Sequence, residues 1–558
     1  MCFSLMMSKF TLARFSGAGL RGRGWLLAAV LVALAVLAPL ISLGWWAFDS
    51  DLSHWNHLAR YVLPQALANT VLLLTGVGVL VTLLGTGAAW LVAAYDFPSR
   101  KTLVWALLLP LAVPTYIIAF AYLDLLHPIG PIQSTLRDLL GYDSPRQFRL
   151  PDLRSIGGAI FVLGFVLYPY VYLSTRVMFM TQAASLIEAA RTLGAGRWGV
   201  FFRVALPLAR PAIAVGVSLA LLETLNDIGA SEFLGVQTLT VSVYTTWVTR
   251  SDLASAAQIA LTMLAFVVAL VLLERRGRKR QRYANTQRMR PMQPQRLRGT
   301  AAAVAVVLGW TPVVVGFVAP ALYLVAETYK RLHLVGAVSE QLLSSLGNTL
   351  LVAGCATVLT VLGGLAVAWA ARNLGPGAGL ARVCARVASL GYAVPGTVLA
   401  IGLLAPFAAI DRLAGDLFGF PGMLLMGSIA ALVGAYAIRF LAISAGGVEA
   451  GLARIPPSLE QASRLLGETP SSTLRRVHLP LLRPALAAAA LLVFVDTMKE
   501  LPATLLLRPL NFDTLATWLY AEAARGTYEE GAVAALTIVV AGLLPVILLA
   551  RTNLKMGH

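Results

Sequence analysis

Charge is scarce in this chain, and acid scarcer than base. Only 13% of its 558 residues are Asp, Glu, Lys or Arg, with 26 acids against 44 bases. The three cysteines, Cys2, Cys355 and Cys384, are isolated, and two lie in or beside apolar runs, so they imply neither a disulfide framework nor a metal site. No Gly-x-x-x-x-Gly-Lys-Ser/Thr phosphate loop occurs, nor a His-Glu-x-x-His zinc helix, nor a Gly-x-Ser-x-Gly nucleophile elbow. The six His residues are scattered and read as interfacial or loop residues. A membrane enzyme is therefore a poor reading, and any ATP chemistry has to come from another chain.

What remains is apolar sequence in long runs. The chain is 58% hydrophobic with a mean hydropathy of +0.77, well beyond a soluble domain. The fold class is an all-α polytopic membrane protein of about twelve transmembrane helices. Six spans are read near 25–46, 67–94, 102–126, 156–177, 211–230 and 253–273. Six more lie near 301–325, 346–370, 386–410, 423–445, 484–504 and 531–550. The first span follows a basic segment, yet it is longer than a signal-peptide core and lacks a convincing cleavage site, so it is read as retained.

A net charge of +18 raises the question of nucleic acid, and its placement answers it. Between Glu274 and Arg298 ten Lys or Arg residues stand against one acid, which marks a cytoplasmic linker under the positive-inside rule. Threading twelve helices in order puts the basic N-terminus, the Arg100-Lys101 loop and the tail with Arg551 and Lys555 on the same side. Both termini are then cytoplasmic. The loop 127–155, assigned outside, fits less well, because it holds Arg137, Arg146, Arg149 and Arg154, only partly balanced by Asp138, Asp143 and Asp152. The expected division is a segment 1–24, a domain 25–273, a linker 274–300, a domain 301–550 and a tail 551–558.

The two domains repeat one another. Leu67-Ala68-Asn69-Thr70 through Trp90 aligns without a gap on Leu346-Gly347-Asn348-Thr349 through Trp369, and Val113-Pro114 has its counterpart in Val394-Pro395. Six spans per half is even, so both halves enter the bilayer the same way up, related by a pseudo-twofold along the membrane normal. The sharpest repeat is polar. Glu188-Ala189-Ala190, Gly194 and Leu206-Pro207 return as Gln461-Ala462-Ser463, Gly467 and Leu479-Pro480, a constant shift of 273 residues (467 − 194). In the first copy a helix over 182–193 ends at Gly194, a second short helix runs to Ala205, and Pro207 stops it. Arginines at 191, 197, 203 and 210 would suit an interfacial helix among lipid headgroups, but headgroups need charge and no fixed register. A repeated Gly-to-Pro spacing points to a repeated partner.

On these residues the chain resembles the permease subunits of binding-protein-dependent ABC importers, as two fused type I permease domains with coupling loops 182–210 and 446–483. The resemblance implies that the loops dock on an ATP-binding subunit, in two copies, and that a periplasmic binding protein delivers the substrate across a bacterial inner membrane. It assigns ATPase coupling to Glu188, Ala189, Ala190, Gly194, Leu206 and Pro207, and to Gln461, Ala462, Gly467, Leu479 and Pro480. The second copy departs from the pattern, with Gln461 where the acid is expected and Glu460 one place early. No catalytic residue, cofactor or nucleic-acid partner is expected on this chain. A secondary transporter would also show repeats, but it has no need of the cytoplasmic loops.

After each loop the next span ends in a polar cluster, Glu223-Thr224-Leu225-Asn226-Asp227 and Asp496-Thr497-Met498-Lys499-Glu500. Ionisable groups in a span are costly unless they face a cavity or one another, which makes Glu223, Asn226, Asp227, Asp496, Lys499 and Glu500 pathway candidates. The alternative is structural, with Lys499 paired to a nearby acid. Several acids against one Lys suit a hard cation, though no residue is assigned as a metal ligand. The surrounding text, Asn226-Asp227-Ile228-Gly229 and Lys499-Glu500-Leu501-Pro502-Ala503-Thr504, resembles the ferric-iron branch of fused permeases. Thiamine is the runner-up cargo, with polyamine and aminophosphonate permeases also related.

Overall fold

Without water in a bilayer core, backbone groups must be satisfied within the chain, and this sequence meets that demand with helices. The computed structural model describes residues 23–49, 56, 58–181, 184–279, 294–373, 379–419 and 422–555. Most of the basic linker, and Cys2, lie outside them. Eleven described helices are long and apolar enough to cross a membrane, or twelve if Arg100–Ala112 and Thr115–Leu125, bent by 93° at Val113-Pro114, count as one span. The span expected at 386–410 is likewise divided, into Gly379–Ala388 and Gly396–Phe418, with Arg386 on the shorter piece. At both breaks a proline follows a valine, and a residue before proline is pushed toward extended backbone.

The chain forms two compact units that cut across the sequence repeat. One comprises Ser42–Val352, Val394–Leu432 and Met498–His558, where described. Its core holds residues of the first repeat together with Ala302, Ala305, Val313, Tyr323 and Leu324 from the helical stretch Thr300–Val335. That stretch is seated closely: a Cβ on Gly309 would lie 2.4 Å from Leu103 Cδ2, and one on Gly316 would lie 2.2 Å from the Phe165 carbonyl. Hydrogen bonds from Trp310 to Ser99 (2.9 Å) and from Tyr323 to Asp124 (2.6 Å) fix its register.

The other unit comprises the described residues up to Ile41, Ala353–Ala393 and Val433–Thr497. Here Ala29, Ala33 and Val36 of the opening helix pack on Val367, Ala370, Ala381, Cys384, Ala388 and Leu441, and the Trp25 indole donates to Ser471 Oγ (3.0 Å). The opening helix of each sequence half thus packs on residues of the other half.

Repeated sequence does repeated work. Gly85 lets two helices approach, since a Cβ there would meet Val171 Cβ at 2.6 Å; its equivalent Gly364 does the same against Ser444 Oγ at 2.4 Å. The Asn-Thr pairs are also explained. Asn69 donates to the Gln237 carbonyl (3.1 Å) and Thr70 accepts from Leu239 N–H (3.0 Å), while Asn348 donates to the Asp513 carbonyl (3.0 Å) and Thr349 accepts from Leu515 N–H (2.8 Å). Each pair pins the loop that opens a later helix at its N-cap, Thr238 or Thr514.

Candidate functional site

The polar repeats fold into two elbows with the same backbone. In the first, helix Ala184–Thr192 ends at Gly194 with φ +84°; in the second, Pro457–Leu465 ends near Gly467 with φ +81°. Closing hydrogen bonds match one for one. Ala195 N–H donates to the Ala190 carbonyl and Gly194 N–H to that of Arg191, both at 3.0 Å. Glu468 N–H to Ser463 (3.1 Å) and Gly467 N–H to Arg464 (3.0 Å) repeat them at the shift of 273 (467 − 194). Only glycine holds this left-handed position without Cβ strain.

Beyond each turn the structure departs from expectation. The short second helix does not stop at Pro207: Arg197–Gly199 leads into a π-helical turn, Val200–Ala205, and straight on into Leu206–Asn226. Pro470–Thr473, the π turn Leu474–His478 and Leu479–Met498 follow the same course through Pro480. The wider π turn moves the preceding carbonyl clear of the proline ring, and the missing N–H needs no partner. Among the described π turns, Leu58–Val62 and Val314–Val318 also end two residues before a proline, Pro64 and Pro320. Each elbow therefore continues as one helix down to the polar cluster.

Outward, both elbows are apolar at the tip. Leu193 is 87% exposed and its equivalent Leu466 is 83% exposed, with Trp198 and Phe202 exposed beside the first and Leu465 beside the second. Glu188, Ala189, Gln461 and Ala462 are exposed on the first helix of each elbow.

The undersides differ. Beneath the first elbow Ile187, Ala205 and Ala93 are buried, and Trp90 packs against Phe179 and Phe201 with centroids 5.3 and 5.2 Å apart. The equivalent positions in the second elbow are Glu460, His478 and Arg372. Glu460 is buried and accepts from Arg372 Nε (2.7 Å), with His478 Nε2 3.2 Å from the same oxygen. Arg372 also donates to the Leu452 and Ile455 carbonyls at 3.2 and 2.8 Å, and Trp369 lies on the His478 ring at 4.7 Å. His478 is thus a buried structural histidine, contrary to its reading as a loop or interfacial residue. The early acid, Glu460, is turned inward, and Gln461 takes the exposed place. The signal for this triad was in the sequence, as three polar residues at positions whose equivalents are Ile or Ala.

Where the elbow helices end, four breaks converge. Asn226 Oδ1 accepts from Gly396 N–H (2.8 Å), directly after Val394-Pro395, and the Tyr116 hydroxyl, after Val113-Pro114, donates to the Lys499 carbonyl (3.3 Å). A Cβ on Gly229 would lie 2.6 Å from Tyr116 Cβ and 2.9 Å from Leu501 Cδ2. Two of the candidate acids are buried as caps of the short helices that follow. Asp227 accepts from the Thr115 hydroxyl and from Ser231 N–H (3.0 Å), above helix Gly229–Phe233. Glu500 accepts from the N–H groups of Ala503 and Thr504 at 3.1 Å each and from the Thr504 hydroxyl at 3.0 Å, above Pro502–Leu507. Glu223 and Asp496 are half-buried one turn earlier. Among the described residues no group of three or more His, Cys, Asp or Glu is arranged to hold a metal ion.

Comparison with known proteins agrees with the tandem reading. The family described as binding-protein-dependent transport system inner membrane component matches twice, over residues 81–283 and 360–555. The Fe(3+)-transport system permease protein FbpB 2 of Haemophilus influenzae is 26% identical over 543 residues, covering 95% of this chain and 99% of its own length. The molybdenum transport system permease protein ModB of Escherichia coli is 31% identical over 33% of this chain and 80% of its own. A putative 2-aminoethylphosphonate transport system permease protein, PhnV of Salmonella typhimurium, is 28% identical over 40% of this chain and 80% of its own.

Proposed function

This chain belongs to the family of binding-protein-dependent transport system inner membrane components, and from that premise we propose that it is the permease of a ferric-iron importer. It is a multi-pass inner-membrane protein of the ABC permease type. One observation carries the mechanism: two elbows of the same backbone, apolar at the tip, each continuous with a helix that ends at a break of the membrane span. Each elbow docks one copy of a separate ATP-hydrolysing subunit through the exposed face that includes Glu188-Ala189 or Gln461-Ala462. Closure of those subunits pushes on the elbows, and the continuous helices carry the displacement to the breaks at 226–228 and 499–501. Both termini are cytoplasmic, in keeping with the basic residues that flank the spans. A periplasmic binding protein presents the cargo.

Iron is favoured by the full-length similarity to an Fe(3+) permease of the same fused arrangement. Uptake of radiolabelled ferric iron, thiamine, molybdate and 2-aminoethylphosphonate in a deletion strain tests it. Loss of iron uptake alone, restored by the intact gene, is expected. Normal iron uptake in the deletion strain, with loss of one of the others, would replace iron with that cargo.

A further inference from the structure

Two tyrosines hold equivalent places in the two halves and touch one another. Thr238 and Thr514 cap helices Leu239–Tyr244 and Leu515–Arg525 at a shift of 276 residues, and Tyr244 and Tyr520 stand at that same shift (514 − 238 and 520 − 244). Their hydroxyls share a hydrogen bond, and the Tyr520 hydroxyl donates onward to Glu232 Oε2 at 2.5 Å. Phe233 stacks on the Tyr520 ring, with centroids 5.4 Å apart, and fixes its direction. Under a twofold, a residue that meets its own equivalent lies at the axis. The breaks behave alike: Asn226 reaches Gly396, while the carbonyl of its equivalent, Lys499, accepts from Tyr116. Glu232, Tyr244 and Tyr520 therefore stand between the halves, beyond the breaks, where a transporter built from repeats has its pathway, and all three are half-buried.

We propose that these three side chains form a way station for the ferric ion, which is held as substrate by the Glu232 carboxylate and the two tyrosine oxygens. The proposal deepens the ferric-iron reading and rests on it. All the donors are oxygen, the class that a hard cation selects, and tyrosine is an iron ligand in its own right. Entry of the ion displaces the two phenol protons to water. Two phenolates and one carboxylate then balance three positive charges, with no change of oxidation state, so the occupied station is neutral. Arg508, whose charge reaches Tyr244, is itself ion-paired with Asp513 and adds no net charge. The carboxylate comes from one half only, since the place equivalent to Glu232 at the shift of 273 (505 − 232) is Leu505. The equivalent short helix thus forms without an acid there, and Glu232 is an addition that the fold does not require.

The purified full-length protein in detergent, titrated with ferric nitrilotriacetate and read by visible absorption, tests the station without any transport step. A saturable phenolate-to-iron charge-transfer band is expected. The double variant Tyr244→Phe, Tyr520→Phe keeps both rings and should abolish the band. Glu232→Gln leaves both tyrosines in place, so the band should remain while iron binding weakens on the order of tenfold, which separates a lost ligand from a lost fold. No band in the intact protein, or a band of full size in the double tyrosine variant, overturns the proposal even where the deletion strain has lost iron uptake; that uptake assay alone decides the cargo. In cells, iron uptake per molecule should fall on the order of tenfold in the double tyrosine variant. Uptake at the intact rate would take the station off the path and overturn it as well.

Discussion

Glu460 and Ile187 occupy equivalent positions under two elbows whose closing hydrogen bonds agree within 0.1 Å, yet one is a buried carboxylate and the other a buried aliphatic chain. Backbone geometry in these elbows is therefore independent of the chemistry beneath it. What the first secures by apolar packing on Trp90, the second secures by an ion pair and a histidine. The cost of failure differs. An apolar contact degrades gradually as atoms are removed, whereas a buried pair that loses one partner leaves a charge in a poor solvent.

The largest effect is expected from breaking the polar set. Arg372→Leu strips Glu460 of its closest cation and should destabilise the second elbow by about 3–5 kcal/mol. Limited proteolysis across 454–483 and uptake in the same strain measure it: cleavage should rise and uptake fall. The sharper test replaces all three residues with those of the first elbow, as Arg372→Ala, Glu460→Ile and His478→Ala together. Exchange of a buried ionic group for apolar residues is often neutral or better, so this triple variant should return close to normal protection. A triple variant as labile as Arg372→Leu would show that the second elbow needs its charges for more than anchorage.

The reverse substitution comes next in size. Ile187→Glu places a carboxylate over Ala93 and Ala205, with no Arg or His in the equivalent places, and should cost about 3 kcal/mol or more. Adding Ala93→Arg should recover part of that loss. If Ile187→Glu alone leaves proteolytic protection unchanged, the burial seen beneath the first elbow is not maintained in the membrane.

Much of this arrangement was legible beforehand, and the reason is repetition. Gly194 and Gly467 announced a left-handed turn because they recur at a fixed spacing in polar surroundings. The long spans followed from hydropathy. Three features did not follow. Pro207 and Pro480 read as stops because proline breaks an α-helix, and a π turn that absorbs the ring has no pattern of its own beyond the proline. The exchange of opening helices is invisible to hydropathy, since an apolar span carries no address for the surface it packs on. Asp227 and Glu500 stood out as polar residues in a span, but their use as caps depends on chain breaks at Asp227-Ile228 and Glu500-Leu501, where the following short helices are only five and six residues long.

With backbones this similar, the turn glycines offer an internal control. A Cβ at Gly194 or Gly467 would meet nothing within 4 Å, so substitution by valine costs only the left-handed strain, about 1–2 kcal/mol at each. Equal strain should give equal loss of protection in the two single variants. Any further difference in uptake then reports the docked partner, and Gly194→Val is expected to be the more damaging because the first elbow presents Glu188 where the second presents Gln461. Full uptake by the double variant Gly194→Val, Gly467→Val would reduce both elbows to ordinary surface helices.

The smallest expected effect separates the two capping acids. Both Glu500 oxygens accept backbone N–H groups, Oε1 from Ala503 and Oε2 from Thr504, so Glu500→Gln sets an amide donor against a donor. The cost should be about 1–2 kcal/mol, since one buried N–H loses its acceptor. Asp227 accepts from the N–H groups of Ser231 and Ala230 and from one hydroxyl, that of Thr115. A hydroxyl can turn to accept instead, so Asp227→Asn can keep its amide oxygen on the Ser231 N–H and its NH2 on Thr115, and should cost less than Glu500→Gln, about 0.5–1 kcal/mol. Membrane abundance should therefore fall further in Glu500→Gln than in Asp227→Asn, with iron uptake per molecule unchanged in both if the carboxylates serve only as caps. A drop in uptake per molecule in Asp227→Asn would instead place that carboxylate on the path of the cation, because its contacts with Ser231 and Thr115 survive the change and its charge does not.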